Sequence, residues 1–542
     1  MKALIHSALV LGLALGALPQ ARTQTLPRVR IQNGASQLIV DGKPFLILGG
    51  ELGNSSAGTA AQADSILPRL ARLHLNTVLM PVAWDQLEPA EGHFDYSILD
   101  HWIAVARQQH MHLVLLWFGS WKNAFSEYAP KWVLSNTRRF PREVSADGQP
   151  LEILSPLGEQ TAKADAIAFA MLMRHLHDED SAQQTVLMIQ VENEIGCHCL
   201  GGRDRSALAN RLFQQPVPAP LLQALRAHPS AWPAPATHPD AAGHTWMDVF
   251  GDRADEAFMA WFYGRFVDEV AAAGKREYDL PLYMNAELPA PFERPGEYPS
   301  GGPYPIEQVI YRAAAPSIDF YAPDIYWPDF EHWVEDYQAQ GNPAFVPEAR
   351  IDLAPYYPLY IFGEARGFGY SPFAVDSLPE NGAPDQLSTQ IADGYQALSE
   401  LTSQILQAQQ NHTIRAMVLH AFSPRPARTL ALGGFLFRAS LARSWPSNKL
   451  ASNNGAMLVM QITHDEFYVL GSGLRVNFLR DPDTDNRVAG IASIEQLAYQ
   501  NGKWIATDVL NGDQSDQGRG LLMDAHVFQV YRVRLYTIPQ GE

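Results

Sequence analysis

The sequence predicts an α/β fold, a parallel (β/α)8 TIM barrel followed by an antiparallel β-sandwich, on three observations. From the first hairpin to about Ser423, short apolar runs alternate with amphipathic helical stretches, the pattern of a parallel sheet with helical crossovers. About eight such runs occur, which suits a closed barrel better than an open doubly wound sheet. Beyond Ser423 the pattern changes to short β-type runs separated by turn residues, as in a sandwich. At 542 residues the chain exceeds the size at which a single core stops growing, so one large and one smaller domain are expected.

Taken in order, residues 1–24 form a short leader: one lysine, an apolar run from about Ala8 to Leu18, then small and polar residues. That run is too short to cross about 30 Å of hydrocarbon and reads as a secretory signal peptide, so the mature protein is expected to be exported. Residues 36–52 hold two apolar runs joined by Asp41-Gly42, a hairpin turn, and end in Gly49-Gly50-Glu51. Helical stretches at 61–73, 96–109 and 160–177 then lead into "NTVLMPVAW", "HLVLLWFGSW" and "TVLMIQVENE". The runs "LPLYMNAEL", "SIDFYAPDIYW", "NPAFVPEAR", "LYIFGEARGFGYSPF" and "IRAMVLHAFS" complete the alternation. The barrel is therefore expected over 25–423, with an insertion around 197–257, rich in Pro, Ala and His, as a loop over the mouth. The sandwich is expected over 424–542.

Composition narrows the partners. A net charge of −18 leaves no basic excess to neutralise phosphates or an anionic membrane surface, which excludes both. No G-x-G-x-x-G follows any strand, so no dinucleotide cofactor is expected. The two cysteines, Cys197 and Cys199, lie two apart; a bridge would close a very small ring and a metal would need ligands from elsewhere, so they read as small buried thiols. No metal or other cofactor is expected.

Polar, acidic and aromatic residues gather where the runs end: Glu51, Trp84, Trp117, Glu192 to Glu194, Asn285, Tyr326 and Glu348. In a barrel these positions converge on the C-terminal mouth, the face where barrel enzymes act. Two carboxyl groups meeting there could run glycoside hydrolysis, one as proton donor and one as nucleophile. Strict alternation puts Glu192 and Glu194 on one face, so spacing alone does not choose between them. For the second carboxylate, "FVPEAR" with Glu348 competes with "FGEARG" and Glu364, since in each an arginine two residues on can pair with the glutamate and hold it ionised.

The chain resembles the clan A retaining glycosidases, and within them the β-galactosidases of glycoside hydrolase family 35. "LNTVLMPVAWDQLEPAEGHFDYSILD" (75–100) is similar to that family's second-strand motif and "IQVENEIG" (189–196) to its acid/base motif. "GGELGNSSA", "NPAFVPEAR" and "GFGYSPFAVDS" resemble a bacterial branch with a C-terminal β domain. The resemblance implies Glu194 as acid/base, Glu348 as nucleophile and Asn193 as a partner of the sugar 2-hydroxyl. Tyr326 is then a donor to the nucleophile, Trp327 a stacking face and Glu51 an acceptor for sugar hydroxyls. It departs at Ile195, where members carry Tyr or Phe, and around "LLWFGSWKN". The function implied is an exported exo-β-galactosidase acting on galactose-containing plant cell-wall oligosaccharides, xyloglucan-derived ones above all. The alternatives are a clan A endo-β-glycanase, which needs an open cleft, and a non-catalytic carbohydrate-binding barrel.

Overall fold

The computed structural model describes residues 25–232, 243–379 and 386–539; the expected leader lies outside them. Its centre is a closed ring of parallel strands: β1 (Ile47–Glu51), β2 (Thr77–Ala83), β3 (His112–Phe118), β4 (Val186–Val191), β5 (Leu282–Glu287), β6 (Phe320–Ile325), β7 and β8 (Gly369–Tyr370). Strand β7 comes in two pieces, Phe345–Val346 and Glu348–Ala349, because Pro347 between them has no N–H for the ladder. Its first piece pairs with β8 and its second with β6, and β8 pairs with β1, which closes the ring.

Ile47, Leu79, Leu116, Tyr283, Phe320 and Phe345 fill the barrel as one apolar cluster. Leu38 and Val40 join that cluster from an antiparallel ribbon, Arg28–Gln32, Ala35–Val40 and Lys43–Phe45, which plugs the N-terminal end of the barrel. The ribbon turns at Asp41 and Gly42, both with positive φ (49° and 74°), as a two-residue hairpin of this kind requires. Helices α1 (Ala60–Arg72), α2 (Ser97–Gln108), α3 (Glu159–Asp180), α4 (Ala254–Glu277), α5 (Gln308–Ala314) and α6 (Phe330–Ala339) cover the outside. Helix α1 begins at Thr59, whose hydroxyl accepts from the Gln62 amide while the Gln62 side chain accepts from the Thr59 amide.

Three expectations need correction. "LYIFG" is not a strand but part of helix α7 (Tyr357–Gly363); all seven residues are buried, so the run carried no periodicity to separate helix from strand. The eighth strand is the short Gly369–Tyr370 instead. Residues 414–420 do not belong to the barrel: β9 (Ile414–His420) pairs antiparallel with β12 (Asn454–Gln461), so the second domain's sheet starts ahead of the expected boundary at 423. The described part of the stretch 197–257 is largely helical rather than a loop. It forms the helices Ala207–Phe213, Ala219–Ala227 and Trp246–Phe250, and Ala219–Ala227 packs on α5 through its buried Leu221, Leu222 and Leu225 face.

The C-terminal part consists of two antiparallel sheets. With β10 (Ala427–Leu432), β11 (Phe435–Leu441), β13 (Glu466–Ser472), β14 (Leu474–Arg480), β15 (Arg487–Gln500), β16 (Lys503–Val509), β17 (Gly520–Leu522) and β18 (Gln529–Pro539), the orders are β9-β12-β13-β18-β15-β16 and β10-β11-β14-β17. Alternation along β12 serves two cores. Met457 and Val459 meet Phe437 and Val476 between the sheets, whereas Ala456, Leu458 and Met460 join the barrel-side cluster with Leu398, Leu401 and Ile405 of helix α8 (Gln386–Asn411).

Candidate active site

Strand β7 delivers Glu348 to the mouth, directly after the break at Pro347. Tyr326, the residue after β6, donates its hydroxyl to Glu348 Oε1, which stabilises the ionised carboxylate. Glu51, the last residue of β1, is in side-chain contact with Glu348 and almost fully buried. Burial, and then the charge of Glu348, push the Glu51 carboxyl well above its usual range, which favours its protonated form beside Glu348.

The opposite carboxylate comes from β4, which ends at Val191. Glu192 and Glu194 then take left-handed backbone (φ 61° and 48°), a conformation side chains other than Gly adopt rarely and at a cost of about 1–3 kcal/mol each. The two turns separate the glutamates that strict alternation leaves equivalent. Glu192 faces inward: its Oε2 accepts from the Trp121 amide at 2.8 Å and its carboxyl meets Asp165, itself held by Trp117 Nε1 (2.9 Å) and Ser120 Oγ (2.6 Å). A Cβ on Gly119 would lie 2.8 Å from Glu192 Oε1, so only glycine lets the β3 loop close over this pair.

Glu194 reaches the cavity. Its amide donates to Asn285 Oδ1 (2.9 Å) and Asn285 Nδ2 donates to Asp324 Oδ2 (2.6 Å), which ties the ends of β4, β5 and β6 together. Asn123 Nδ2 donates to Glu194 Oε2, and Lys122 Nζ stands 3.8 Å from the same oxygen. One carboxyl oxygen from each of Glu194, Asp324 and Glu348 lies within 4.8 Å of the other two. They open on a cavity of about 310 Å3, also lined by Asn54, Lys122, Asn123, Glu287, Tyr326, Trp327 and Phe373.

So many carboxyl groups in one buried place do not all ionise. Burial and Glu348 hold Asp324 well above its usual range. Burial raises Glu194, against the pull of Lys122. Burial and the charge of Glu194 push Glu348 up to about 7, while Lys122, Tyr326 and Glu51 pull it down. Lys122 keeps its charge: burial opposes it, and Glu194, Glu348, Glu51 and Asp324 outweigh burial. Near neutral pH the Glu194–Glu348 pair therefore holds a proton that two ordinary glutamates would have lost.

Of the six residues expected in the site, Glu194, Glu348, Tyr326 and Trp327 line the cavity, and Glu51 sits against Glu348. The side-chain Nδ2 of Asn193 has no hydrogen-bond partner among the described residues. The residue is fully buried, lines no part of the cavity, and its Oδ1 accepts from the Asn123 amide at 3.2 Å. Trp327 is 37% exposed at the rim, its Nε1 donating to the Leu288 carbonyl (3.0 Å). Glu364 lies elsewhere, in a two-pronged pair with Arg415 (2.8 Å each). The cysteines are also corrected: Cys197 and Cys199 form a disulfide rather than two free thiols.

Sequence reasoning missed Lys122, Asn123, Glu287 and Asp324. A lysine directly behind the unbroken apolar run "HLVLLWFGSW" was the signal available, because a cation at a barrel strand end faces the mouth.

A (β/α)8 barrel that brings paired carboxyl groups together at its C-terminal mouth is an arrangement that glycoside hydrolysis can use. Residues 57–217 match the family model Glyco_hydro_42, described as β-galactosidase, and residues 391–522 match one described as a domain of unknown function, DUF5597. Neither spans half of the chain. No curated protein matches the sequence. Among solved structures, the chain is similar to a β-galactosidase from the haloarchaeon Halorubrum lacusprofundi (15% identity, 65% of this chain and 58% of that one, TM-score 0.45). It is also similar to a β-galactosidase from Bacillus circulans sp. alkalophilus (14%, 67% and 57%, TM-score 0.46). A third is the catalytic domain of a β-amylase from Paenibacillus polymyxa (12%, 64% and 96%, TM-score 0.44). The chain thus spans less than two thirds of the two β-galactosidases it matches.

Proposed function

We propose that the protein is a retaining exo-β-galactosidase, with Glu194 as acid/base and Glu348 as nucleophile. The observation that carries this reading is the approach of the two carboxyl groups to within 4.8 Å across one cavity. Direct attack needs carboxyl groups about 5–5.5 Å apart, whereas inversion through water needs about 6.5–9.5 Å. Glu348 attacks the anomeric carbon while Glu194 gives its proton to the glycosidic oxygen, which leaves with the aglycone. Glu194 then takes a proton from water, whose oxygen attacks the same carbon and releases Glu348. Tyr326 steadies the nucleophile, Glu51 and Asp324 stay neutral, and Lys122 balances the remaining negative charge.

The cavity volume supports the exo reading, because about 310 Å3 lies at the small end of ligand sites, roughly 300–1,000 Å3. An endo-β-glycanase needs a cleft open at both ends. Assignment to family 35 rests on the motif strings at 75–100 and 189–196, beside the matched family 42 model. Xyloglucan as the natural glycan rests on the resemblance to the bacterial branch, and export on the leader; N-terminal sequencing of the mature protein tests the latter.

A 2-deoxy-2-fluoro-β-galactoside with a good leaving group tests the mechanism. It is expected to inactivate the enzyme and leave a galactosyl ester that mass spectrometry of peptides locates on Glu348. An ester on another residue, or a wild type as inert toward β-galactosides as Glu194→Gln, would overturn the reading.

A further inference from the structure

Beside the mouth, a second concavity of about 440 Å3 opens between the segment that leaves β6, from Pro328 onward, and the first loop of the C-terminal domain. A row of rings builds it. Phe330 stacks face to face on Tyr357 (centroids 3.7 Å apart), Tyr357 meets His420 edge-on (5.8 Å), and His420 stacks on Phe422 (4.8 Å). The row runs out into solvent, where Phe422 is 65% exposed.

A third concavity, of about 470 Å3, shares His420 and Ser423 with the second and carries Trp445 together with Arg475 and Asp516. Trp445 is 95% exposed. The second concavity and the catalytic cavity meet at one segment of chain, since Trp327 lines the catalytic cavity and its neighbour Pro328 lines the second.

Single exposed aromatics on a surface need no explanation, but two that rim adjoining depressions sharing His420 and Ser423 do. Aromatic faces with charged and amide groups around them suit a ligand that is apolar on its ring faces and rich in hydroxyls at its edges. A glycan chain has that character. Arg428 pairs with Glu331 and Arg475 with Asp516, and the other charged lining groups, Arg425 and Arg443 against Asp329 and Glu335, balance in number across the two concavities, so the walls favour a neutral chain over a charged one.

We propose that these two concavities bind the backbone of a neutral oligosaccharide whose terminal galactose enters the catalytic cavity, so that the C-terminal domain forms the leaving-group half of the substrate site. The direction of the chain rests on the β-galactosidase reading; the binding of a glycan in the groove does not.

The full-length protein and its Phe422→Ala and Trp445→Ala variants decide the matter, since both side chains are exposed and their truncation leaves no cavity. kcat/KM is measured on an aryl β-galactoside and on a galactose-bearing xyloglucan oligosaccharide. In each variant the ratio of oligosaccharide to aryl value is expected to fall about tenfold, through KM, as expected for the loss of one ring-stacking contact. An unchanged ratio overturns the proposal. Calorimetric titration of the same oligosaccharide into Glu194→Gln, alone and combined with Trp445→Ala, gives a readout free of turnover. Affinity weakened by the second substitution supports the groove even if the wild type hydrolyses no β-galactoside, a result that would sink only the catalytic reading. Equal affinity in both, or no binding to either, removes the groove as a glycan site.

Discussion

Lys122 sets the charge balance on which the two glutamates depend, because it is the cation among the residues lining the cavity and stands 3.8 Å from Glu194. A positive charge this close favours the ionised form of both carboxyl groups. Lys122→Met is therefore expected to move both limbs of the pH profile of kcat/KM upward. The acid limb reports ionisation of Glu348, the alkaline limb loss of the proton from Glu194, and Lys122→Arg should restore much of both. A merely structural role would lower the rate and leave the limbs in place. Tyr326 acts on one partner only. Tyr326→Phe removes a donor to a charged acceptor, an interaction worth about 1.5–3 kcal/mol, and should lower kcat roughly ten- to a hundredfold while moving the acid limb alone. The same burial makes stability depend on pH. Glu348 is raised to about 7, and Glu51 and Asp324 are also raised. A carboxyl raised in the folded state gives its full stabilisation below the unfolded value of about 4.3, and loses it as pH climbs through the folded one. Thermal melting should therefore fall between pH 5 and pH 8, and Glu51→Gln, which keeps a neutral group beside Glu348, should shrink that fall.

The elements that carry these residues differ in how plainly the sequence shows them. Strands β2 to β6 are legible because each carries an apolar run long enough to stand out, with polar or aromatic residues within or just beyond its C-terminal end. Glu348 is legible for the same reason despite Pro347. Helix α7 is not, since a fully buried run of seven looks the same wound or extended, and β8 is too short to announce itself. Asn123 and Lys122 escaped notice because the loop after β3 is aimed by a contact far away in sequence: Glu192 accepts from the Trp121 amide across 71 positions. The aim of that loop can be tested. Glu192→Gln keeps an acceptor for Trp121 and a donor for Asp165, and should keep most of the activity and stability. Glu192→Ala removes both and leaves Asp165 buried without that partner, a change costing about 2–4 kcal/mol. Its melting temperature and kcat should fall together, because Asn123 and Lys122 lose their support.

At the scale of the whole molecule, the question is whether barrel and C-terminal domain are separate bodies on a tether or one. The sequence shows a change of pattern near 423, and a change of pattern invites a linker there. The packing shows the opposite. Helix α8 leads into the second domain, and its Leu398, Leu401 and Ile405 lie in the same cluster as Leu458, Met460 and Leu470 of the larger sheet and as barrel-side Leu46 and Leu48. Glu364 and Arg415 add a paired contact between α7 and β9. Each fully buried leucine contributes roughly 1.5–3 kcal/mol relative to exposure, and stripping the sheet away would return several of them to water at once. That sum is comparable with the net stability of a domain, about 5–15 kcal/mol. A chain ending at Asn411 should therefore be insoluble or molten, and the full-length protein should unfold in one calorimetric transition with coincident near- and far-ultraviolet dichroism. Two resolved transitions, or a well-folded truncated barrel, would show that this shared core does not couple the halves. The coupling also bears on function, because a groove built from Pro328 on one side and Phe422 on the other keeps its width only if the two bodies hold still.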